Sequence, residues 1–159
     1  RFAKRSFDAP SVLIDRVDPS IAGWVRDRLV PKVLVASQTR VLEAIVDAEG
    51  RRVPCTPVVS VEPTGSASVW HLAALLTSPV ASAWLLADAA GTALSADAVR
   101  VSASTLAALP LPADDRAWDT AAEAARTGDV AGCGRAMLTA HGIDDDTLLA
   151  WWWERMPTR

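Results

Sequence analysis

The pattern of apolar and polar residues predicts that strands dominate the first sixty residues. Residues 32–36 (KVLVA) form an apolar, β-branched run of strand length directly after Pro31. Shorter runs predict further strands over residues 11–15, 41–47, 56–61 and 98–101, with a turn at residues 49–52. Helical segments lie between and after these runs. The pattern therefore predicts an α+β fold, in which a small mixed β-sheet is flanked by helices.

Helix-start signals place helices beside these strands. Asp18 followed by Pro19 predicts the start of a helix that runs to about Arg28. Ser68 and Ser78 are predicted to cap two consecutive helices, and a single helical turn is predicted after Ser102 or Ser104. The apolar residues of the first helix fall on one face, which we expect to be buried: Ile21, Trp24, Val25 and Leu29.

The predicted secondary structure changes at Pro112. Strand signals end there, and three helices are predicted over residues 115–126, 130–141 and 144–156. We therefore divide the chain into residues 1–112 and a C-terminal helical extension, residues 113–159. On the last helix Trp152 and Trp153 share the apolar face and are expected in the core, whereas Trp151 lies off that face. We expect Trp151 to contact a partner.

Charge is distributed unevenly along the chain. The formal net charge is −3, but residues 1–60 hold ten Lys and Arg against seven Asp and Glu, and residues 61–159 hold six against twelve. A negative total disfavours a strong nonspecific nucleic-acid binder, because that affinity comes mainly from neutralised phosphates. If the protein does bind DNA, the contacts should lie in the first half.

Several classes of site and location are disfavoured by the sequence. Cys55 and Cys133 lack the spacing of a zinc site, so we expect two reduced cysteines and no metal. No apolar run is long enough to span a bilayer, and we expect a cytoplasmic protein without a membrane role. Because the chain opens on Arg1, we expect it to be part of a longer protein.

Three segments in order resemble a known family. They are KVLVASQTRVLEAIVDAEGRR, HLAALLTSPVASAWLL and GTALSADAVRVSASTLAALPLP, between residues 32 and 112. The chain resembles the C-terminal target-recognition (specificity) domain of TaqI-like and Type I N6-adenine DNA methyltransferases. The resemblance implies a mixed sheet with flanking helices that contacts double-stranded DNA. It also implies a partner, the catalytic methyltransferase domain of the same protein, which holds S-adenosylmethionine.

The motifs of that catalytic half do not occur in this sequence. Methylation in the family uses an Asn or Asp followed by two prolines and an aromatic residue, and this chain has neither Asn nor a Pro-Pro pair. Gly132 and Gly134 lie between helical segments, so they fail the strand-turn-helix context of a donor-binding loop. We therefore expect no catalytic residue and no cofactor in this fragment.

Candidate DNA contacts cluster in predicted turns. Gln38, Thr39 and Arg40 follow a strand, where Gln can bond adenine and Arg can bond guanine. Arg51 and Arg52 at a turn suit phosphates. Weaker candidates complete the set of expected DNA contacts: Lys32, Ser66 and Arg100. For each of these residues, a solvated surface turn or a helix cap is the competing interpretation.

Two other functions compete with DNA recognition. The first is a protein-interaction module that docks a partner through the helical tail and Trp151, with no nucleic-acid role. The second is an independent enzyme. His71 and His141 lie at predicted helix ends without a nucleophile motif such as GxSxG, so we interpret both as surface or capping groups.

Overall fold

A computed structural model of the chain describes residues 16–89 and 98–156. The strand predicted over residues 11–15 lies outside this part. The described elements, in chain order, are α1 (Pro19–Arg26), β1 (Lys32–Ala36), β2 (Gln38–Thr39), β3 (Ala44–Asp47), β4 (Val58–Val61), α2 (Val69–Leu76), α3 (Pro79–Ala89), β5 (Val99–Arg100), α4 (Ala103–Ala107), α5 (Asp115–Thr127), α6 (Val130–Ala140) and α7 (Asp146–Arg155).

The described strands form two small antiparallel sheets. β1 lies between β3 and β4, with Lys32 opposite Asp47 and Val33 opposite Val61. β2 and β5 pair separately as a two-stranded ribbon. The α+β class is confirmed. The prediction of a mixed sheet is wrong for this part of the chain, because each strand here pairs only with antiparallel neighbours.

The central strand β1 is buried along nearly its whole length, and this places a charge in the interior. Lys32 is completely buried, and its Nζ lies 2.7 Å from Asp47 Oδ2 and 2.9 Å from the Val30 carbonyl oxygen. Asp47 also accepts the backbone N–H groups of Arg51 and Arg52. Burial raises the pKa of Asp47, but the bonds from Lys32 and the two amides outweigh it and lower the pKa to about 2.

Helix α2 connects two hydrophobic cores. Val69, Ala73 and Leu76 pack toward the sheet, in a cluster that includes Val33 and Val35. A second cluster takes residues from the other side of α2 and from the helices after Pro112: Ala74, Leu75, Ala121, Cys133 and Met137. The C-terminal helices therefore form a layer on α2 and α3, with α5 against α2 and with α6 and α7 against α3.

Most helix boundaries follow the predicted signals. Asp18 Oδ1 accepts the Ser20 N–H at the start of α1, and Ser102 caps α4. The three C-terminal helices begin and end within two residues of prediction. Gly128 ends α5 with a φ of 80°, a left-handed conformation that glycine adopts without a steric penalty.

The predicted burial of the α1 face is wrong. Ile21 is 52 % exposed and Trp24 is 46 % exposed, and Leu29, just after the helix, is also exposed. Ala22 is the buried residue of α1. Periodicity shows which residues share a face, but it does not show whether another element covers that face.

Candidate nucleic-acid interface

The β2–β5 ribbon brings together two predicted DNA-contacting residues that are distant in sequence. Gln38 lies directly opposite Arg100, and Thr39 lies opposite Val99. Opposed residues of an antiparallel pair project from the same face. Gln38 and Arg100 are exposed, whereas Thr39 and Val99 are buried. One face of the ribbon therefore presents an amide and a guanidinium side by side to solvent.

Backbone hydrogen bonds tie this ribbon to the rest of the fold. Ser37 donates its N–H to the Pro57 carbonyl at 3.0 Å, and its own carbonyl accepts the Val101 N–H at 2.9 Å. The Leu42 N–H donates to the Ser82 hydroxyl of α3 at 3.1 Å, in the buried interior. The segment that carries Gln38 is therefore anchored at both ends, and such anchoring reduces the entropy lost on binding.

Burial argues against two of the predicted DNA contacts, Thr39 and Lys32, because their side chains are engaged within the fold. The Thr39 hydroxyl lies within hydrogen-bond distance of the Val41 carbonyl oxygen and of Glu43 Oε1. It stabilises the turn and does not face solvent. Lys32 is enclosed in its ion pair with Asp47 and cannot reach a phosphate without breaking that pair. Thr39 lies on the buried side of β2, and Lys32 belongs to a strand that is buried on both sides.

A cleft of about 610 Å³ lies against the ribbon, with Gln38, Thr39 and Ala98 in its lining. Gln38, Arg40 and Glu43 line one side, while Glu154 and Arg155 of α7 line the other. Sequence reasoning missed Arg155 because it follows an acidic helical segment that we excluded from DNA contact. Two arginines and two glutamates give these lining side chains a formal charge sum of zero.

The remaining candidates lie at the other end of the sheet. Arg51 and Arg52 follow Asp47, which pairs with the first residue of β1, whereas Gln38 follows the last. At roughly 3.3 Å per residue, the two ends of this five-residue strand are about 13 Å apart. Arg51 forms an exposed ion pair with Glu49. Two groups of candidates therefore exist, and only the ribbon group adjoins the cleft.

Ser66 belongs to the second group. It is exposed in the loop after β4, and the last residue of that strand, Val61, pairs with Val33 near the start of β1. The structure thus associates Ser66 with the end of the sheet that carries Arg51 and Arg52. Phosphate binding by Arg51, Arg52 and Ser66 stays a prediction.

The tryptophans of α7 have a different arrangement from the predicted one. Trp152 is 1 % exposed, and the Cζ3–Cη2 edge of its ring faces Gly134 of α6. Trp153, expected in the core, is 53 % exposed, while Trp151 is half-buried with the Arg155 guanidinium 4.8 Å from its ring centroid. Successive helical residues differ by about 100°, so burying Trp152 turns both neighbours away from the core. Trp153 is therefore the exposed aromatic of this helix.

A hydroxyl, an imidazole and a carboxylate form a hydrogen-bonded chain at the start of α2. His71 Nδ1 accepts the Ser68 N–H and lies 2.8 Å from Ser68 Oγ, and His71 Nε2 donates to Asp119 Oδ1 at 2.8 Å. The Ser68 hydroxyl oxygen also accepts the N–H groups of Trp70 and His71. These three side chains follow the order of a catalytic triad. The bonds between Ser68 and His71, however, are those of a capping box at the start of the helix. The interpretation of His71 as a capping group is confirmed.

The described part of the chain provides few other chemical groups. Both cysteines are free, with Cys55 exposed and Cys133 buried. Among the described residues, no group of three or more His, Cys, Asp or Glu could hold a metal ion. No single described helix meets the length and hydropathy needed to cross a membrane; α2 and α3 meet that test only as a pair, with a bend of 57° between them.

Comparisons with protein-family models, with curated proteins and with solved structures found no match to this chain.

Proposed function

We propose that this chain is the DNA target-recognition module of a bacterial N6-adenine DNA methyltransferase, and that it catalyses no reaction by itself. One observation carries the proposal: the β2–β5 ribbon places Gln38 and Arg100 side by side on an exposed face. The catalytic methyltransferase domain, which would bind S-adenosylmethionine, is the proposed partner within the same protein. This attribution to a family rests on the sequence resemblance.

The chemistry of the ribbon suits base recognition. Gln can form two hydrogen bonds with adenine, and Arg can form two with guanine, along the edges exposed in the major groove. That groove is about 12 Å wide and admits a two-stranded β-ribbon. Arg40 and Arg155, which line the adjacent cleft, would contact flanking bases or phosphates. The anchoring of the ribbon through Ser37 supports a preorganised recognition surface.

The charge balance of the cleft favours specific over nonspecific contacts. The carboxylates of Glu43 and Glu154 offset the guanidinium groups of Arg40 and Arg155. Phosphate neutralisation is the source of sequence-independent affinity, so a balanced cleft gains little of it. Discrimination would then depend on bonds to base edges, each worth about 1 to 3 kcal/mol between right and wrong bases.

The proposal predicts that ribbon variants change sequence preference. A pool of randomised duplexes is bound to the chain, the bound fraction is sequenced, and the selected duplex is titrated by fluorescence anisotropy. We expect Gln38→Ala and Arg100→Ala each to weaken binding to the selected duplex by about 1 to 3 kcal/mol and to relax preference at one position. Any lost phosphate contact should reduce the salt slope by about 0.9.

Two arginines provide matched controls. Arg126 is paired with Glu123 on the surface of α5, and Arg126→Ala should leave duplex binding unchanged. Arg52→Ala tests the other end of the sheet and should affect binding less than Arg100→Ala. Unchanged affinity and preference in both ribbon variants would refute the proposal, as would selection of no duplex sequence.

A second candidate function is a protein-interaction module, and the exposed Trp153 favours it. Trp153 lines a groove of about 390 Å³ with Leu149, Ala150 and Ala131, and charged residues lie at its edge. Large exposed aromatics are frequent contact residues in protein interfaces. Under this alternative, Trp153→Ala would abolish co-purification of a partner protein and the chain would select no duplex sequence, whereas Gln38→Ala would have no effect on co-purification. Trp151, the residue expected from sequence, is the weaker choice because Arg155 covers it.

A further inference from the structure

Helix α1 presents apolar side chains to solvent. Ile21 and Trp24 lie one turn apart on its exposed face, and Leu29, just after the helix, is also exposed. The Arg28 guanidinium lies 4.0 Å from the centroid of the Trp24 ring, and its Nη1 donates to the Trp24 carbonyl oxygen at 2.9 Å. The face therefore combines grouped apolar side chains with a cation held on an aromatic ring. Grouped exposed apolar residues of this kind mark interaction surfaces.

The groove between α6 and α7 is a second uncovered apolar surface. Its apolar lining consists of Ala131 on α6 and of Leu149, Ala150 and Trp153 on α7. The two alanines are small, so another helix can approach closely. All described lining residues belong to α6 and α7. An α1 helix that filled this groove would therefore come from a second copy of the chain.

Opposite charges favour contact between these two surfaces. In the lining of the α6–α7 groove, Asp146 and Glu154 outnumber Arg135. Residues 16–29, which contain α1, hold three arginines against two aspartates. The same asymmetry extends over the whole chain, because the first sixty residues are net basic and the remainder is net acidic. Complementary charge of this kind guides two surfaces toward each other and disfavours other pairings.

The dimensions of the helix and the groove also match. α1 has eight residues and is therefore about 12 Å long, at 1.5 Å per residue. Asp146 and Glu154 are eight residues apart on α7, so they lie about 12 Å apart along its axis. A helix of the length of α1 can therefore lie along the groove between these two acids, with its apolar face on Trp153.

We propose that the chain forms a dimer in which α1 of each copy lies in the α6–α7 groove of the other copy. Ile21 and Trp24 of one copy contact Leu149 and Trp153 of the second, and Arg28 lies near the acids of the groove. A twofold axis relates the two contacts, as in most soluble dimers. The pair of contacts buries about twice the area of a single helix in a groove. This dimer is independent of whether the chain binds DNA.

Sedimentation equilibrium of the unmodified chain tests the association. We expect the mean mass to rise from that of a monomer toward that of a dimer as the concentration increases to about 1 mM. Trp24→Ala and Trp153→Ala should each weaken dimerisation by at least about tenfold, because each removes an aromatic anchor from both contacts. Ile45→Ala, at an exposed residue of β3, is the control and should leave dimerisation unchanged.

A mixture of the two tryptophan variants identifies which surfaces meet. A pair of Trp24→Ala chains has two damaged contacts, and so has a pair of Trp153→Ala chains. A mixed pair retains one intact contact, in which the unchanged α1 of one chain meets the unchanged groove of the other. At equal total concentration, the mixture should therefore contain more dimer than either variant alone. Misfolding of a variant would not produce this recovery.

A change of charge tests the polar part of the contact. Arg28→Glu places a carboxylate near the acids of the groove and should weaken dimerisation by at least about tenfold. Arg116→Glu makes the same change at an exposed residue of α5 and should leave dimerisation unchanged.

Four results would overturn the proposal. They are a chain that stays monomeric up to about 1 mM, tryptophan variants that dimerise as strongly as the unmodified chain, a mixture that shows no recovery, and equal effects of the two arginine variants. The first measurement needs no variant, so it stands even if a variant fails to fold. No DNA is present in these experiments, so failure here leaves the DNA proposal unaffected.

Discussion

At the scale of single residues, a buried ion pair determines the role of a cation that the sequence assigned to DNA. Lys32 begins a strand in which four successive residues are buried, so its ammonium group needs a partner in the interior. Asp47 is directly opposite on β3, and their side chains meet at 2.7 Å. Breaking a buried pair leaves an uncompensated charge, which costs far more than losing an exposed one.

Replacement of Lys32 should therefore strongly destabilise the fold. We expect Lys32→Met to lower the free energy of unfolding by about 3 to 5 kcal/mol, measured by urea denaturation at pH 7. Arg52→Ala, a change at an exposed cation nearby, should stay within about 0.5 kcal/mol. A similar loss in both variants would show that Lys32 is not the partner that Asp47 requires.

The Lys32–Asp47 pair also makes the loss of stability in Lys32→Met dependent on pH. The pKa of Asp47 is lowered from 3.8 to about 2 in the fold, so its stabilising contribution is complete above about pH 4 and is lost as pH falls through 2. In Lys32→Met the unpaired carboxyl is neutralised on acidification. The destabilisation by Lys32→Met should therefore shrink between pH 4 and pH 2, whereas a constant difference across that range would contradict the assignment.

At the scale of elements, the start of α2 is where the two layers of the fold are joined. His71 completes the capping box with Ser68, and its ring meets the Trp118 ring edge-on at a centroid distance of 5.2 Å. Trp118 Nε1 also donates to the His71 carbonyl oxygen at 3.0 Å. Asp119 accepts from the outer ring nitrogen but is largely exposed. The bonds to Ser68 and Trp118 should therefore contribute more stability than the bond to Asp119.

Two variants separate these contributions. His71→Ala removes the cap and the ring contact, and we expect it to cost about 1 to 2 kcal/mol. Asp119→Ala removes one exposed hydrogen bond and should cost less than about 1 kcal/mol. Thermal unfolding followed by circular dichroism measures both. If Asp119→Ala lost more stability than His71→Ala, the bond between His71 and Asp119 would be the main link between α2 and α5, and the capping box would not be.

At the scale of the whole molecule, the helices after Pro112 complete the core of the part before it. Leu75 is buried, and it packs with Ala121, Cys133 and Met137 of the C-terminal layer. The same layer contributes Arg155 to the cleft beside the ribbon. The cleft therefore draws on both sides of the sequence boundary at Pro112, although the paired residues Gln38 and Arg100 both precede it.

Packing between α2 and the C-terminal helices should contribute as much to the free energy of unfolding as packing within an ordinary core. We expect Leu75→Ala to lower the free energy of unfolding by about 2 to 5 kcal/mol in urea, because it leaves a cavity between α2 and the helices that cover it. Leu111→Ala, at an exposed leucine, should stay within about 0.5 kcal/mol. A minor effect of Leu75→Ala would indicate that the C-terminal layer is a loosely attached appendage.

Local signals in the sequence determined most of the elements, but not β2, because Gln38 and Thr39 were predicted to lie in a turn after a strand. The β-branched run at residues 32–36 is the observed β1, and the Ser and Asp caps set the helix starts, because each signal acts within a few residues of the chain. Tertiary structure decided which side chains remain available. It buried Lys32 and Thr39, and it left Trp24 and Trp153 exposed. It also placed Gln38 opposite Arg100 and in the same cleft as Arg155. Burial and proximity depend on which elements pack together. Those contacts join residues that are far apart in the sequence, so local patterns in a single sequence do not reveal them.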